Sequence, residues 1–323
     1  MSDRVREGQR YRVLVNNRAG TVLEIGAATL QARLERAFAA VGAVAEVYLG
    51  HPDQLGGELD GLGDAAVVPV VVGGDGTVSC LLPALLHYGR PVGVLPMGTM
   101  NLLGRDLGLT GAIDEDVAIL HRGEVRPVDI GLVNGVPFHS VSGLGFAVAV
   151  ASERERTRRW IPFNRGLATT VAAVRAVARN RPVLVELEAD GREESMLADA
   201  VLVTVNRFEG SPWRRPHLDG GLLEVHLLAA TGLAARTRAA LAVLTGEWRG
   251  LEHLRSLQVQ AVTLRRGRRT RLTLDGEIAR ATGSLRYEIR PRALQLLGAA
   301  PGRAAAGARA SAAERTAGPP SPG

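Results

Sequence analysis

The feature that most constrains the fold is an apolar run that ends in three closely spaced glycines, PVVVGGDGTVSCLLPALL at residues 69–86. Val70–Val72 is β-branched and contains no polar residue, which is typical of a strand buried on both faces. The apolar residues at 78–86 follow helical spacing. A glycine-rich junction between a strand and a helix lets the backbone approach a phosphate group closely. The alternative is an ordinary turn with a solvated Asp75. The three glycines are Gly73, Gly74 and Gly76.

The rhythm of strands and helices divides the chain in two. Strand-like and helix-like segments alternate over residues 11–123, which predicts a mainly parallel α/β sheet. Beyond about residue 125 strands dominate, beginning with a hairpin signal at Asn134-Gly135, and this predicts an antiparallel β-rich domain. Helices are predicted there only at 167–178 and 233–246. The predicted parts are an α/β domain at 10–125, a β-rich domain at 126–292 and a disordered tail at 298–323.

Composition narrows the cellular setting. The chain has 323 residues, of which 46% are hydrophobic, and can therefore bury sizeable cores. Its one cysteine, Cys80, rules out an internal disulfide framework and is typical of a reducing compartment. No apolar stretch approaches the ~20 residues that a membrane span requires, and the first ten residues lack the apolar core of a secretory signal. We therefore expect a cytoplasmic protein.

The positive charge predicts anionic partners. The net charge is +6, and the basic residues other than histidine are all arginine. The segment 151–166 places five arginines around Trp160 and Phe163, a combination that suits peripheral binding to an anionic membrane surface. A solvated loop would account for the same residues. With 4% aromatic residues and no recognisable nucleic-acid-binding module, nucleic acid is not expected as a partner.

A second motif, GVLPMGTMNLLGRDLGL at 93–109, repeats the pattern of a buried strand followed by a Gly-Thr turn. Because ligands gather at the carboxyl ends of parallel strands, Gly76-Thr77 and Gly98-Thr99 are expected to lie side by side there. Each turn offers backbone N–H groups and a hydroxyl, and Asn101 adds a bidentate amide. The alternative role for Asn101 is helix capping.

Taken together, these motifs resemble the diacylglycerol kinase catalytic-domain family, which includes bacterial soluble lipid kinases, sphingosine kinases and ceramide kinases, and is distantly related to the NAD kinases. The resemblance covers roughly residues 10–292. VNNRAGT (15–21) is similar to a weakened form of the family's first nucleotide loop, in which Asn16 and Gly20 match. The other motifs are GGDGT (73–77), LPMGTMN (95–101), VDIG (128–131) and LTLDGE (272–277).

The resemblance implies an NAD kinase-like α/β domain followed by a C-terminal antiparallel β-sandwich domain, with ATP in the cleft between them. It implies Glu277 as general base, Asp75 as a second catalytic residue, and Mg²⁺ organised by Asp75, Asp129 and Asp219. A solvated hairpin residue is the alternative for Glu277. The nucleotide-binding residues that it implies are Asn16, Gly20, Gly73, Gly74, Asp75, Gly76, Thr77, Val78, Ser79, Gly98, Thr99 and Asn101.

Three places in the sequence depart from the family pattern. Leu102 stands where bacterial members often have an acid of the metal network, and Asp106 is a candidate substitute. Ser79-Cys80 replaces an Asn-Glu pair beside the nucleotide. Gly220 replaces the second acid of a loop that holds a structural Mg²⁺ in some members, which weakens the metal role of Asp219.

The predicted function is that of an ATP-dependent lipid kinase, which phosphorylates a hydroxyl of a diacylglycerol- or sphingoid-like lipid at an anionic membrane surface. The alternative is a nucleotide-binding protein on the same fold with weakened catalysis. NAD kinase activity is a third alternative, and the sequence argues against it because NAD kinases share the GGDGT motif but not the LDGE motif. A homodimer and the identity of the acceptor lipid stay open, because pockets for acyl chains leave no short motif.

Overall fold

The computed structural model divides the chain into two compact units. Unit 1 comprises Met1–Val128 and Ala293–Gly323, and unit 2 comprises Asp129–Arg292. The chain therefore leaves unit 1 once and returns to it. The structure describes residues 8–152, 182–189, 192–209, 213–229, 235–239, 242, 248–265 and 269–300.

Unit 1 is built on a parallel sheet. Its strands are β1 (Arg10–Asn16), β2 (Val44–Gly50), β3 (Val67–Gly73) and β4 (Gly93–Pro96). Its helices are α1 (Gly20–Ile25), α2 (Ala27–Ala40), α3 (Pro52–Asp60), α4 (Asp75–Tyr88), α5 (Leu102–Asp106) and α6 (Ile113–Arg122). The spatial order of the strands is β2-β1-β3-β4, with parallel pairing throughout.

This order sets where a ligand can bind. The valines of Val70–Val72 have no exposed surface, as expected for a strand that lies between two neighbours and is covered on both faces. Because the four strands are parallel, the ends of β1, β3 and β4 open toward the same edge of the sheet. The loops that follow Asn16, Gly73 and Pro96 are therefore neighbours.

Unit 2 contains two six-stranded sheets that share one hydrophobic core. Their strands are β5 (Glu124–Val133), β6 (Val136–Phe138), β7 (Val141–Gly145), β8 (Val183–Ala189), β9 (Arg192–Ala198), β10 (Ala200–Val205), β11 (Leu223–Leu228), β12 (Leu254–Val259), β13 (Ala261–Arg265), β14 (Thr270–Leu274), β15 (Glu277–Ala281) and β16 (Leu285–Gly298). The orders are β12-β11-β10-β7-β14-β15 and β6-β5-β16-β13-β8-β9. Val203 and Val225 of the first sheet share a core with Leu264 and Tyr287 of the second. Unit 2 is thus an antiparallel sandwich, and the predicted fold class is confirmed.

Several sequence predictions fall wholly or partly outside the described residues. These are the helix at 167–178, all of the arginine-rich segment beyond residue 152, and the tail beyond residue 300. Within the predicted helix at 233–246, residues 235–239 are helical. Among the helices that the structure does describe, none combines the length and the hydrophobicity needed to cross a bilayer.

Candidate active site

The two glycine turns of unit 1 lie against each other, as their positions at neighbouring strand ends predict. A Cβ atom placed on Gly98 would lie 2.7 Å from the Cα of Gly74, and one placed on Gly74 would lie 2.9 Å from the Cα of Gly98. Met97 N donates a hydrogen bond to Gly73 O at 2.9 Å, which ties the turn after β4 to the end of β3. The two backbones approach so closely that only glycine fits at both positions.

Behind these turns, a pair of buried side chains fixes the end of β1. Asn16 Nδ2 donates to Thr77 Oγ1 at 2.9 Å, and Asn16 Oδ1 accepts from Arg18 N at 2.9 Å. Gly73 must lack a side chain here, because a Cβ would lie 2.4 Å from Thr77 Oγ1. Asn16 and Thr77, both predicted to bind nucleotide, are therefore brought together but are 8% and 6% exposed, and these hydrogen bonds hold the loops in place.

The N-terminus of α4 faces this glycine-rich region. Gly74 precedes the helix, and its carbonyl accepts from Thr77 N at 2.9 Å and from Val78 N at 3.2 Å. The first amides of a helix have no helical acceptor and carry the positive end of the helix dipole, so they attract phosphate. Asp75 Oδ1 accepts from Leu103 N at 3.4 Å, which links α4 to α5. The Val78 side chain is 2% exposed and belongs to the core, so only its backbone could serve a ligand.

The loop after β4 is closed by Asn101. This residue has a left-handed φ of 48°, and its side-chain amide makes two bonds with one residue: Oδ1 accepts from Gly98 N at 2.7 Å, and Nδ2 donates to Gly98 O at 2.9 Å. It makes no side-chain capping bond to α5, so the capping alternative is not observed. Thr99 lies exposed on this closed loop. A nucleotide contact by Asn101 or Thr99 stays a prediction.

The loop that follows β1 supplies a contact that sequence reasoning missed. Gly20 begins α1, and the next residue, Thr21, donates from Oγ1 to Met97 O at 2.9 Å. This bond connects the first loop to the turn after β4. The sequence shows only that a hydroxyl residue, Thr21, follows the matched Gly20. Its bond to Met97 could not be predicted, because the strand order that brings the two loops together was not known.

In unit 2, a two-residue turn places Glu277. Asp275 and Gly276 have φ values of 48° and 92°, the left-handed pair that a tight hairpin between β14 and β15 requires. The Asp275 carboxylate accepts from the backbone N–H groups of three consecutive residues, at 2.9, 2.8 and 3.1 Å. Those residues are His139, Ser140 and Val141. The Asp275 side chain is 1% exposed, so the turn is held rigidly, whereas Glu277 lies exposed as the first residue of β15.

Two of the residues predicted to organise Mg²⁺, Asp129 and Asp219, already accept hydrogen bonds within unit 2, and their metal role stays a prediction. Asp129 has no exposed surface, and its carboxylate accepts from Asn206 Nδ2 at 3.0 Å, Gly221 N at 2.6 Å and Arg292 N at 2.7 Å. Asp219 accepts from an Arg292 guanidinium nitrogen at 3.1 Å. These bonds fix the orientation of the Asp129 carboxylate inside unit 2. Within the described parts of the chain, no group of three or more His, Cys, Asp or Glu side chains could hold a metal.

The departures from the family pattern also have structural explanations. Leu102 is 8% exposed in α5 and packs as an apolar residue. Asp106, the candidate substitute for the missing acid, is 3% exposed, which does not favour a role in a solvent-facing metal network. A Cβ on Gly220 would lie 2.9 Å from Asn206 Oδ1, so an acid does not fit there without displacing Asn206.

Comparisons with known proteins agree with this architecture. Residues 10–133 match the family described as "Diacylglycerol kinase catalytic domain", and residues 140–298 match the family described as "YegS C-terminal NAD kinase beta sandwich-like domain". The diacylglycerol kinase of Bacillus subtilis is 29% identical over 217 residues, which are 64% of this chain and 70% of that protein. An uncharacterized protein of Synechocystis is 26% identical over 247 residues, or 73% of this chain and 55% of the relative. The chain therefore spans about half the length of the latter.

Solved structures show the same fold. The crystal structure of a diacylglycerol kinase from Bacillus anthracis aligns with a TM-score of 0.61 at 16% identity, covering 90% of this chain and 97% of that one. A second crystal structure from the same organism aligns with a TM-score of 0.69 at 20% identity and the same coverage of both chains. At such identities the likeness concerns the fold alone.

Proposed function

Because the chain belongs to the diacylglycerol kinase catalytic-domain family, we propose that it transfers the γ-phosphoryl group of ATP to a hydroxyl of a diacylglycerol- or sphingoid-like lipid. The observation that carries this proposal is the contact between Gly74 and Gly98 at the N-terminus of α4. Two glycine turns in backbone contact leave room for a polyphosphate beside a helix end that favours negative charge.

MgATP enters this proposal as a substrate, with the metal bound to its phosphates. The first amides of α4 and the turn at Gly98-Thr99 would hold the β- and γ-phosphates, since the chain contains no lysine. The lipid hydroxyl loses its proton to the Glu277 carboxylate while its oxygen forms a bond to the γ-phosphorus. The bond from that phosphorus to the bridging oxygen breaks, and ADP leaves.

The membrane side of the proposal rests on charge. A net charge of +6 favours binding to an anionic bilayer from the aqueous side, where an acceptor lipid is available to a peripheral enzyme. We propose a cytoplasmic protein that binds the membrane peripherally and takes its lipid substrate from the surface.

The test is incubation of the purified full-length chain with γ-labelled ATP, Mg²⁺ and a panel of lipids in mixed vesicles. Label should appear in one class of lipid, and Asp75→Ala should lose that labelling while the protein stays folded. Labelling of no lipid by a folded, ATP-binding protein would contradict the kinase and favour the second candidate.

That second candidate is a nucleotide-binding protein with weakened catalysis. It is favoured by Leu102, which replaces an acid with a buried apolar side chain, and by Ser79-Cys80. Calorimetry separates the two candidates: both bind ATP, but only the kinase consumes it in the presence of lipid.

A further inference from the structure

The turn that presents Glu277 is anchored to one buried segment of unit 2, residues 139–141. The Asp275 carboxylate accepts from the three backbone N–H groups of this segment at 2.9, 2.8 and 3.1 Å. In the other direction, Asp275 N donates to Val141 O at 2.8 Å. Glu277 begins β15, the last strand of its sheet, which has a neighbouring strand on one side only. The direction of its side chain therefore depends on what holds this segment in place.

Arg215 holds the segment from its other side. Its Nη1 donates to His139 O at 2.6 Å and to Val205 O at 3.4 Å, and its Nη2 lies 3.5 Å from Ser140 Oγ. The residue is 1% exposed, and its guanidinium carbon lies 5.3 Å from the ring centroid of Phe208. The backbone of His139 is thus bonded to a buried carboxylate through its N–H and to a buried guanidinium through its carbonyl. Charged partners at both ends strengthen such hydrogen bonds.

The side chains of the segment join the same network. His139 Nδ1 and Ser140 Oγ lie 2.7 Å apart, and His139 Nε2 lies 3.5 Å from Asp275 Oδ2. Ser140 O also accepts from Val205 N of β10 at 2.9 Å. The four polar side chains of the network are each at most 1% exposed: His139, Ser140, Arg215 and Asp275. A polar network closed off from solvent therefore supports the turn before β15.

Stability alone does not explain a buried arginine at this place. Burying a guanidinium costs desolvation, and apolar side chains of similar volume are often as stabilising. The chain also reaches Arg215 through a rare conformation, since Trp213 has a left-handed φ of 45°, with its ring centroid 4.0 Å from that of Trp248. Strained backbone of this kind persists only where the surrounding structure holds it, and it is concentrated at functional sites. Orientation of the segment at 139–141 accounts for both features.

We propose that Arg215 is a positioning residue for Glu277, which it fixes through His139, Ser140 and the Asp275 carboxylate. This inference rests on the proposed function, in which Glu277 is the general base. Without the guanidinium, the His139 carbonyl loses a buried donor and the segment relaxes, so the turn that it anchors shifts as well. A displacement of about 1 Å can lower the rate of a catalytic step by ~10²-fold. Loss of Arg215 should therefore lower kcat and leave the KM for ATP nearly unchanged.

The test measures lipid phosphorylation by Arg215→Met, which keeps an apolar stem and removes every donor. Turnover should fall about tenfold or more, with the KM for ATP within about twofold of the wild type. Arg215→Lys should recover part of the loss, because an ammonium can still donate to the His139 carbonyl. The same change is then made in Glu277→Gln. If Arg215 acts through Glu277, it should cost nothing further there, whereas an equal fold-loss in both backgrounds would reduce Arg215 to a structural residue and overturn the proposal.

Arg249→Met is the matched control. It removes another hydrogen-bonded arginine of unit 2, which contacts Phe208 O at 2.7 Å and the buried Glu224 carboxylate instead of residues 139–141. Its kcat per folded molecule should match that of the wild type. Hydrogen exchange supplies a readout that does not depend on activity. The amides at 139–141 should exchange at least tenfold faster in Arg215→Met and at the wild-type rate in Arg249→Met.

Ser140→Ala covers the case in which Arg215→Met does not fold, because it removes only the hydroxyl that lies between His139 and Arg215. It should lower kcat in the wild-type background and not in Glu277→Gln. Wild-type turnover or amide exchange in folded Arg215→Met, or wild-type turnover in Ser140→Ala if only that variant folds, would overturn this inference and leave the kinase intact. A folded wild-type chain that phosphorylates no lipid would instead overturn the proposed function, and the role of Arg215 with it.

Discussion

Two carboxylates separated by a single glycine, Asp275 and Glu277, occupy opposite surroundings. Asp275 is buried and accepts three backbone hydrogen bonds, whereas Glu277 is exposed. The Asp-Gly pair alone predicts the turn, because both residues tolerate the positive φ that the turn needs. The donors to Asp275 could not be predicted, because His139 lies 136 positions earlier in the sequence. The Asp-Gly pair therefore predicts that the chain turns before Glu277, but it does not predict the hydrogen bonds to Asp275 that hold the turn in place.

At this scale the first prediction concerns Glu277→Gln, which keeps the shape and removes the proton acceptor. Lipid phosphorylation should fall by about 10²-fold or more, because a positioned base typically contributes ~10²–10⁴-fold. ATP affinity measured by calorimetry should change little, since the phosphates are assigned to the turns of unit 1. Glu252→Gln, at another exposed carboxylate of unit 2, should leave both values unchanged. Full turnover in Glu277→Gln would reduce Glu277 to a turn residue.

The second prediction concerns Leu102→Asp, which restores the acid that bacterial relatives often carry. The family pattern on its own predicts that an acid at this position strengthens metal binding and raises activity. Because Leu102 is 8% exposed, we now expect a loss of stability of about 2–5 kcal/mol, as for truncation of a buried leucine, with the buried charge adding to it. Urea unfolding measures the loss, and Leu102→Met should cost under about 1.5 kcal/mol. A stable and more active Leu102→Asp would show that the side chain turns toward solvent.

Among the elements, the best-predicted feature is the contact of the two glycine turns. A buried strand followed by Gly-Thr occurs twice, and parallel strands open toward one edge, so the side-by-side arrangement follows from the pattern. What the pattern could not give is the exact separation: Gly74 and Gly98 meet at backbone distance because Asn101 folds its loop back onto Gly98. This loop conformation requires a positive φ at Asn101, and the spacing of apolar residues does not predict which residue adopts one.

The third prediction follows from this contact. Gly98→Ala would place a methyl group 2.7 Å from Gly74 Cα and force the turns apart, so ATP affinity should fall at least tenfold and stability by about 1–3 kcal/mol. Gly57→Ala is the matched control, because Gly57 lies inside α3 with no atom within 4 Å of the added methyl group. That control should keep ATP affinity and gain about 0.5–1 kcal/mol of stability. Calorimetry and urea unfolding of both variants decide the matter, and equal ATP affinity in the two would exclude the turns from the nucleotide site.

The fourth prediction concerns pH and strand β11. Burial by itself would raise the pKa of Glu224, but the imidazole of His226, whose Nε2 lies 3.4 Å from the carboxylate, and hydrogen bonds from Arg249 lower the pKa from 4.5 to about 2. Because the folded pKa lies below the unfolded value, the contribution to stability is fully present above pH 4.5 and is lost as the pH falls toward 2. It amounts to at most about 3 kcal/mol.

Tryptophan fluorescence can follow unfolding near Glu224, since the ring centroid of Trp248 lies 6.0 Å from that of His226. Urea unfolding should show Glu224→Gln to be less stable than the wild type at pH 7, with the gap closing below pH 3. Glu288→Gln, at a half-exposed carboxylate of β16, should show no comparable gap. A constant difference between wild type and Glu224→Gln across this pH range would mean that the carboxylate charge does not contribute.

For the whole molecule, the division of the chain depends on long-range pairing. The boundary near residue 125 could be predicted from the sequence, because the alternation of strand-like and helix-like segments gives way there to consecutive strand-like segments. The return of the chain to unit 1 at Ala293 was not visible, because it consists of contacts with residues about 200 positions earlier. Val92 N donates to Gln295 O at 3.0 Å, Leu297 N donates to Val92 O at 2.9 Å, and Ala299 N donates to Leu107 O at 2.9 Å. The last strand of the sandwich sequence thus ends as part of the α/β unit.

The last prediction tests this return with two truncations. A chain that ends at Ala300 should keep the wild-type thermal midpoint, because residues 301–323 contain almost no bulky apolar side chain. A chain that ends at Arg292 should lose the folding of unit 1. It removes Leu294, Leu296 and Leu297, which are 2%, 0% and 1% exposed, and loss of each buried leucine costs about 2–5 kcal/mol.

Leu296→Ala separates burial from chain length in this experiment, since it should destabilise the full-length chain by about 2–5 kcal/mol. Hydrogen exchange of the amides in β4 provides the local readout, because Val92, just before that strand, bonds to the returning segment. If the chain that ends at Arg292 keeps full protection in β4, the segment from Ala293 onward is dispensable. Unit 1 would then be complete by Val128, and the pairing with Val92 would follow the folding of that unit rather than support it.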